Sequence, residues 1–268
     1  MSDPAILLVG AGNMGGAMLA GWLASGMDPQ CFTVADPFLK AAPAGVRLLR
    51  EPPAGETFGV VLLAFKPQQI AEAAPSVAPL VGPGTLLLSI LAGVDLDTLA
   101  GRFPSAGGIV RLMPNLAAAL GKSPIGMVGR VGAEGRALTE RLMAPLGRAE
   151  WLSGEGQMDL VTALGGSGPA FVYRMIETLA AGAAELGLPR DQADRLALAM
   201  VEGAAALAAA SPCSAGELAE RVASPGGTTR AGLDVLDADR RLARLMEDTL
   251  RASRDRSAEM TREARQRS

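Results

Sequence analysis

Residues Ile6-Leu7-Leu8-Val9 run directly into Gly10-Ala11-Gly12-Asn13-Met14-Gly15, and no other stretch limits the fold so tightly. An apolar run that ends in glycines and continues into Ala17, Met18, Leu19, Gly21, Trp22 and Leu23 reads as a buried strand turning sharply into a helix. Gly10, Gly12 and Gly15 have GxGxxG spacing. In that spacing the first glycine permits the tight turn, the second lets backbone approach a pyrophosphate, and the third lets the helix pack close to the strand. The free N–H groups and dipole of the new helix favour phosphate. Dinucleotide binding is therefore expected, with an ordinary strand–turn–helix as the alternative.

The chain repeats this alternation. Phe32-Thr33-Val34-Ala35 reads as a second strand, ending at Asp36-Pro37. An acidic residue about 20 residues beyond the glycines is placed to accept hydrogen bonds from the adenosine ribose, and it repels a 2′-phosphate. This favours NADH over NADPH; a turn-initiating Asp-Pro is the alternative. Val60 to Phe65 is a continuous apolar run ending at Lys66-Pro67. Lys66 then lies at the carboxyl end of a strand, where open α/β sheets bind ligands; a solvated loop lysine is the other reading. Further strands are expected at Thr85–Ile90, Gly108–Arg111, Ile125–Val128 and Ala149–Leu152, with helices near 13–25, 67–79, 95–101 and 132–145. Such units imply a doubly wound parallel sheet of the Rossmann type.

After Gly154 the pattern changes to alanine- and glycine-rich helix, near 157–164, 168–187, 190–210, 214–222 and 239–265. The expected division is a dinucleotide-binding domain over 1–154 and an all-α domain over 155–268. Gly182 and Gly203, with Ala180, Ala181, Ala183, Ala184, Ala204, Ala205 and Ala206, make shallow surfaces suited to a subunit interface, or to a monomeric bundle. Two turns interrupt the helices, Gly165 to Ala170 and Ser224 to Thr229. The second offers backbone N–H groups and hydroxyls in a glycine-lined nest that suits a carboxylate. The charged run Arg251 to Ser268 reads as a solvated helix and fraying tail.

There is no histidine among the 268 residues. That excludes a Ser-His-Asp triad and any dehydrogenase relying on a histidine acid. A net charge of −3 gives no nucleic-acid footprint, and no apolar run is long enough to span a bilayer. Cys31 and Cys213 have neither metal nor disulfide-framework spacing, so no metal and a reduced, cytoplasmic setting are expected.

Taken together, the motifs resemble those of pyrroline-5-carboxylate reductases. The resemblance rests on Gly10 to Gly15, Ala64-Phe65-Lys66-Pro67, Met113-Pro114-Asn115, Gly166-Ser167-Gly168-Pro169-Ala170-Phe171 and Ser224-Pro225-Gly226-Gly227-Thr228-Thr229, in the family's order across nearly the whole chain. It implies reduction of 1-pyrroline-5-carboxylate to L-proline with NADH or NADPH. It also implies a Rossmann domain and a helical domain that interlocks as a homodimer, with dimers often assembling five to a decamer. Gly10, Ala11, Gly12, Asn13, Met14 and Gly15 match the phosphate loop. Ala64, Phe65, Lys66 and Pro67 match a segment lining the cofactor, and Ile90, Leu91 and Ala92 one near the nicotinamide. Ser224, Gly226, Gly227, Thr228 and Thr229 match the loop for the substrate carboxylate. A threonine of that loop is the implied proton donor or imine-nitrogen partner, Thr229 being the better match and Thr228 its neighbour. Ser167, Gly168 and Pro169 match the floor of the substrate pocket. Asp36-Pro37 departs from members suited to a 2′-phosphate; Arg47 and Lys40 are the candidates to meet one, which leaves dual cofactor use open. A β-hydroxyacid dehydrogenase is disfavoured, because residues 155–268 contain no lysine. A non-catalytic nucleotide binder and a reductase of six-membered cyclic imines are the remaining alternatives.

Overall fold

Continuous apolar runs become strands here because both of their faces are covered. The computed structural model describes residues 3–267, with side chains described through Glu263. In chain order the sheet domain comprises β1 (Ile6–Val9), α1 (Asn13–Ala24), β2 (Phe32–Ala35), β3 (Arg47–Leu49), β4 (Val60–Leu63), α2 (Ile70–Val77) and β5 (Leu86–Ser89). There follow α3 (Leu96–Arg102), β6 (Gly108–Met113), β7 (Ser123–Arg130), α4 (Ala133–Met143), β8 (Gly147–Trp151) and α5 (Met158–Val161).

The eight strands form one sheet in the order β3-β2-β1-β4-β5-β6-β7-β8. The pleat sends alternate side chains to opposite faces. Ile6, Leu8, Val60, Leu62, Leu86 and Leu88 share one core with Met18 and Trp22 of α1 and with Leu142 and Met143 of α4. Leu7, Val61, Leu63 and Leu87 share the other with Ile70, Ala74 and Val77 of α2 and Leu99 of α3. Trp22 stacks on Phe32 with centroids 5.6 Å apart, and its indole N–H donates to the Leu142 carbonyl at 2.6 Å. The sheet is therefore doubly wound, and its order reverses between β1 and β4, the position where such sheets bind nucleotides.

Two details differ from the sequence expectation. The short edge strand β3 was not foreseen, and β7 runs antiparallel to β6. The link from Met113 to Ser123 is shorter than the dozen or so residues that a parallel crossover needs.

The chain divides into two compact units, residues 1–166 with 253–268, and residues 167–252. The helical composition begins after Gly154, but Glu155 to Gly166 pack with the sheet. Buried Arg111 pairs with Glu155. The last segment of the chain is not simply solvated, as expected for 251–268. Ser257 Oγ donates to Asp159 at 2.7 Å, and Gly93, at φ +77°, lies against Met260 and Thr261 of the final helix.

The second unit holds α6 (Gly168–Glu185), α7 (Arg190–Ala210), α8 (Ala215–Val222), α9 (Thr228–Asp237) and the start of α10 (Arg241–Arg267). Helix α9 was not expected; residues 224–229 read as turn alone. The buried core between α6 and α7 consists of Ala180, Ala193 and Ala197, backed by Ala183 and Ala184. Of the small residues expected at a subunit surface, Ala180, Ala183 and Ala184 thus face α7 within the chain, while Gly203, Ala204, Ala205 and Ala206 stay exposed on α7. The exposed faces also carry bulky residues, including Leu179, Leu186, Leu196, Leu198, Met200 and Leu207.

Candidate active site

The carboxyl ends of β1 and β4 lie side by side at the point where the sheet order reverses. Gly10 ends β1 with φ +89°, a conformation that L side chains avoid, and an added Cβ would lie 2.8 Å from the Ala64 carbonyl oxygen. Gly15, in the first turn of α1, faces the Gly10 carbonyl so closely that a Cβ would sit 2.7 Å from it. Gly12 differs from both. A Cβ there would meet nothing within 4 Å, so no internal contact demands a glycine. Gly12 also caps α1 without any side-chain acceptor, and the first turn holds no acidic residue. The initial N–H groups of a 12-residue helix thus point from an open, glycine-floored turn, which suits an anionic pyrophosphate.

Asp36 stands beside this turn at the end of β2. Its Oδ2 accepts the Ala11 N–H at 2.8 Å, and its Oδ1 accepts those of Phe38 and Leu39 at 2.8 and 2.9 Å. Burial pushes the carboxyl up, but these three N–H groups and the nearby Arg50 charge outweigh it and hold it below its ordinary value. Asp36 is thus both turn initiator and fixed charge. A carboxylate has about four lone-pair positions, so one remains for a ribose hydroxyl. Arg50, which the sequence reading passed over, donates from Nη1 to the Pro37 and Leu39 carbonyls at 2.8 and 3.1 Å and fixes the same loop. Arg47 is committed elsewhere, to Glu56 in a two-pronged ion pair at 2.7 and 2.9 Å.

The neighbouring segments line up by strand order. Ala64 continues β4 by donating its N–H to the Val9 carbonyl at 2.8 Å. Phe65 and Pro67 are half-buried and Lys66 is exposed, its own N–H held by Gln69 Oε1 at 3.2 Å. Ile90 extends β5 by donating to the Leu63 carbonyl at 3.1 Å. Leu91 is buried in the second core, so only its backbone is available to a ligand, while Ala92 is half-buried. Asn13 and Met14 begin α1.

In the helical unit, Ser224 to Gly227 form the turn ahead of α9. Gly226 takes φ +71°, and Gly227 donates its N–H to the Ser224 carbonyl at 3.0 Å. A Cβ on Gly227 would approach Ser224 Oγ to 2.5 Å. Thr228 and Thr229 are exposed in the first turn of α9, which has no side-chain cap and no acidic residue. Just behind them, Arg230 pairs with Glu220 of α8. Like α1, this helix starts behind a glycine turn without a side-chain cap, and it carries two hydroxyls. Ser167, Gly168 and Pro169 start α6, preceded by the π-helical turn Thr162–Gly166 rather than by an open loop.

The pyrroline-5-carboxylate reductase of Pseudomonas aeruginosa is 34% identical over 97% of this chain and 98% of its own length. The chain belongs to the pyrroline-5-carboxylate reductase family. The family model described as pyrroline-5-carboxylate reductase dimerisation matches residues 155–260, and one described as NADP oxidoreductase, coenzyme F420-dependent, matches residues 5–93. A pyrroline-5-carboxylate reductase structure from Coxiella burnetii superimposes with a TM-score of 0.89 at 30% identity, covering 96% of this chain and 98% of that one. The Plasmodium falciparum pyrroline carboxylate reductase, solved with NADP bound, shares the fold with a TM-score of 0.82 at 23% identity over 97% and 99% of the two chains. The dimerisation match thus falls on the helical half and the NADP oxidoreductase match on the strand-and-glycine half, which supports a nicotinamide cofactor and an oligomer. Among the described residues, no single helix is long and apolar enough to cross a membrane.

Proposed function

We propose that this reductase converts 1-pyrroline-5-carboxylate to L-proline with NADH as its better cofactor. The observation that carries the residue assignments is that α1 behind Gly10–Gly12 and α9 behind Gly226-Gly227 each start behind a glycine turn with neither a side-chain cap nor an acidic first turn. The first suits the pyrophosphate and the second suits the substrate carboxylate.

When bound, the reduced nicotinamide supplies the hydride. The protein's residues do the rest. Ala64 to Pro67 and Ile90 to Ala92 line the cofactor and hold it at the sheet's carboxyl edge. The Ser224–Gly227 turn and the first N–H groups of α9 bind the carboxylate. The Thr229 hydroxyl donates a hydrogen bond to the imine nitrogen, which takes its added proton from solvent, directly or through this hydroxyl, while the imine carbon takes the hydride. Ser167, Gly168 and Pro169 shape the floor beneath the ring. A cyclic imine is a good hydride acceptor once its nitrogen is protonated or hydrogen-bonded, so orientation carries much of the catalysis, roughly 7–11 kcal/mol in favourable systems. That explains how a chain without histidine performs the reduction. Asp36 repels a 2′-phosphate and has one lone-pair position left for the ribose, which supports the NADH preference.

The proposal includes a homodimer formed through the helical unit, supported by its exposed leucines, and a cytoplasmic enzyme, supported by two unpaired cysteines. The test is Thr229→Ala against Thr229→Ser. The alanine variant is expected to lose kcat with NADH affinity retained, and the serine variant to keep most activity. Equal turnover in all three proteins rejects the threonine role.

A further inference from the structure

Met113-Pro114-Asn115 takes no part in the scheme above, yet Asn115 is one of the few buried polar side chains, at 7% exposure. It follows β6. Its N–H donates to Ser123 Oγ at 2.8 Å, and its Oδ1 accepts the Ala117 N–H at 2.9 Å. Its remaining polar group, Nδ2, donates to the Gly165 carbonyl at 2.8 Å, across 50 residues of sequence.

The Gly165 carbonyl needs that donor for a specific reason. In a continuous α-helix it would accept the N–H of the residue four positions on. That residue is Pro169, which has no N–H. The next donor along, the Ala170 N–H, goes to the Ser167 carbonyl at 3.0 Å. Gly165 is buried, so its carbonyl cannot turn to water, and a buried unpaired carbonyl costs about 1–3 kcal/mol. The π-helical turn Thr162–Gly166 lies at this point, and π turns concentrate at functional sites. Packing tightens the same spot. A Cβ on Gly165 would touch Pro124, and one on Gly166 would lie 3.7 Å from Met113 Sδ.

We infer that Asn115 is a positioning residue for the substrate turn. Its Nδ2–H supplies the hydrogen bond that Pro169 withholds from Gly165, fixing the π turn from which Ser167, Gly168 and Pro169 emerge. The inference rests on the reading of Ser167 to Pro169 as the pocket floor. Asn115 touches neither substrate nor cofactor in this scheme.

The test uses the full-length enzyme and four variants: Asn115→Asp, Asn115→Ala, Pro169→Ala and the double variant Asn115→Ala/Pro169→Ala. Asn115→Asp keeps the acceptor for Ala117 but turns a second acceptor toward the Gly165 carbonyl. It is expected to raise KM for 1-pyrroline-5-carboxylate about tenfold, the scale of one buried hydrogen bond, with the Kd for NADH within twofold of wild type. Asn115→Ala should do the same more mildly. Pro169→Ala restores an N–H at position 169, so the double variant should recover at least threefold of the KM lost in Asn115→Ala. If Asn115→Ala does not fold, Asn115→Asp carries the KM comparison, and a folded double variant with KM below that of Asn115→Asp is the rescue.

A merely structural role would lower melting temperature while leaving KM unmoved, and that result overturns the inference. So does additivity of the two alanine substitutions. A bulky Pro169→Leu variant separates the two ideas. Unchanged KM there rejects the pocket-floor reading itself, whereas raised KM there beside unchanged KM in Asn115→Asp rejects only the clamp.

Discussion

Replacing Asp36 with serine tests whether one carboxylate sets the choice of cofactor. The wild-type side chain accepts three N–H groups, from Ala11, Phe38 and Leu39, at 2.8–2.9 Å. Serine retains an acceptor for the Phe38 and Leu39 turn but cannot reach Ala11, and it carries no charge. Two effects follow. Loss of the Ala11 bond destabilises the half-exposed loop by about 1.5 kcal/mol, the lower end for a hydrogen bond to a charged group. Loss of the charge removes repulsion of a 2′-phosphate bearing −1.5 to −2 charges. At about 5 Å in a water-like dielectric that repulsion is roughly 1–2 kcal/mol, and it grows as solvent is excluded. The ratio of kcat/KM for NADPH over NADH should therefore rise about tenfold in Asp36→Ser, and the gain should shrink at high salt. Asp36→Asn keeps the shape and loses only the charge, so it should reproduce most of the change. Initial rates with both cofactors at low and high ionic strength measure it. A flat ratio in both variants, with lowered thermal stability, would show that Asp36 only builds the turn.

Other outcomes follow from the same geometry. Gly15→Ala forces a Cβ to 2.7 Å from the Gly10 carbonyl oxygen and should destabilise the protein by about 2–3 kcal/mol, read by urea unfolding, with NADH affinity weakened. The Asp36 carboxyl is held below its ordinary value, so the stability it confers is full above about pH 4 and fades as pH falls through the lowered value. Unfolding free energies of wild type and Asp36→Asn should thus differ at pH 7 and converge in acid; a constant gap contradicts this. Leu198→Glu together with Leu207→Glu places charge on exposed apolar positions of α7 and should shift the enzyme toward monomer in size-exclusion chromatography. Unchanged elution would move the interface elsewhere.

Much of the sheet was legible because its strands are covered on both faces and read as unbroken apolar runs. Ile6–Val9, Val60–Leu63 and Leu86–Ser89 are fully buried. Strand β3 was not legible, since Arg47–Leu49 is three residues of partly exposed edge. Helix α9 was hidden by Ser224-Pro225-Gly226-Gly227, whose turn chemistry dominates the local pattern, and by a helix with no buried residue to mark a face. The small residues of α6 and α7 were visible, but not which neighbour they faced. Alanine packs equally well against a helix of the same chain or another, and here Ala180 and Ala193 meet within the chain. Within the glycine loop, Gly10 and Gly15 were readable because each answers to a separate steric demand of the fold, whereas Gly12 meets none within the chain. The role of Asn115 was not legible, because its partner is a carbonyl orphaned by a proline, and sequence does not show which distant donor answers it.

The most direct measurement is the initial rate of purified enzyme with 1-pyrroline-5-carboxylate, run in parallel with NADH and NADPH. The account predicts proline formation with either cofactor and a higher kcat/KM with NADH. Turnover favouring NADPH would overturn the role of Asp36. No proline from either, in a protein that still binds the nucleotide, would contradict the central claim.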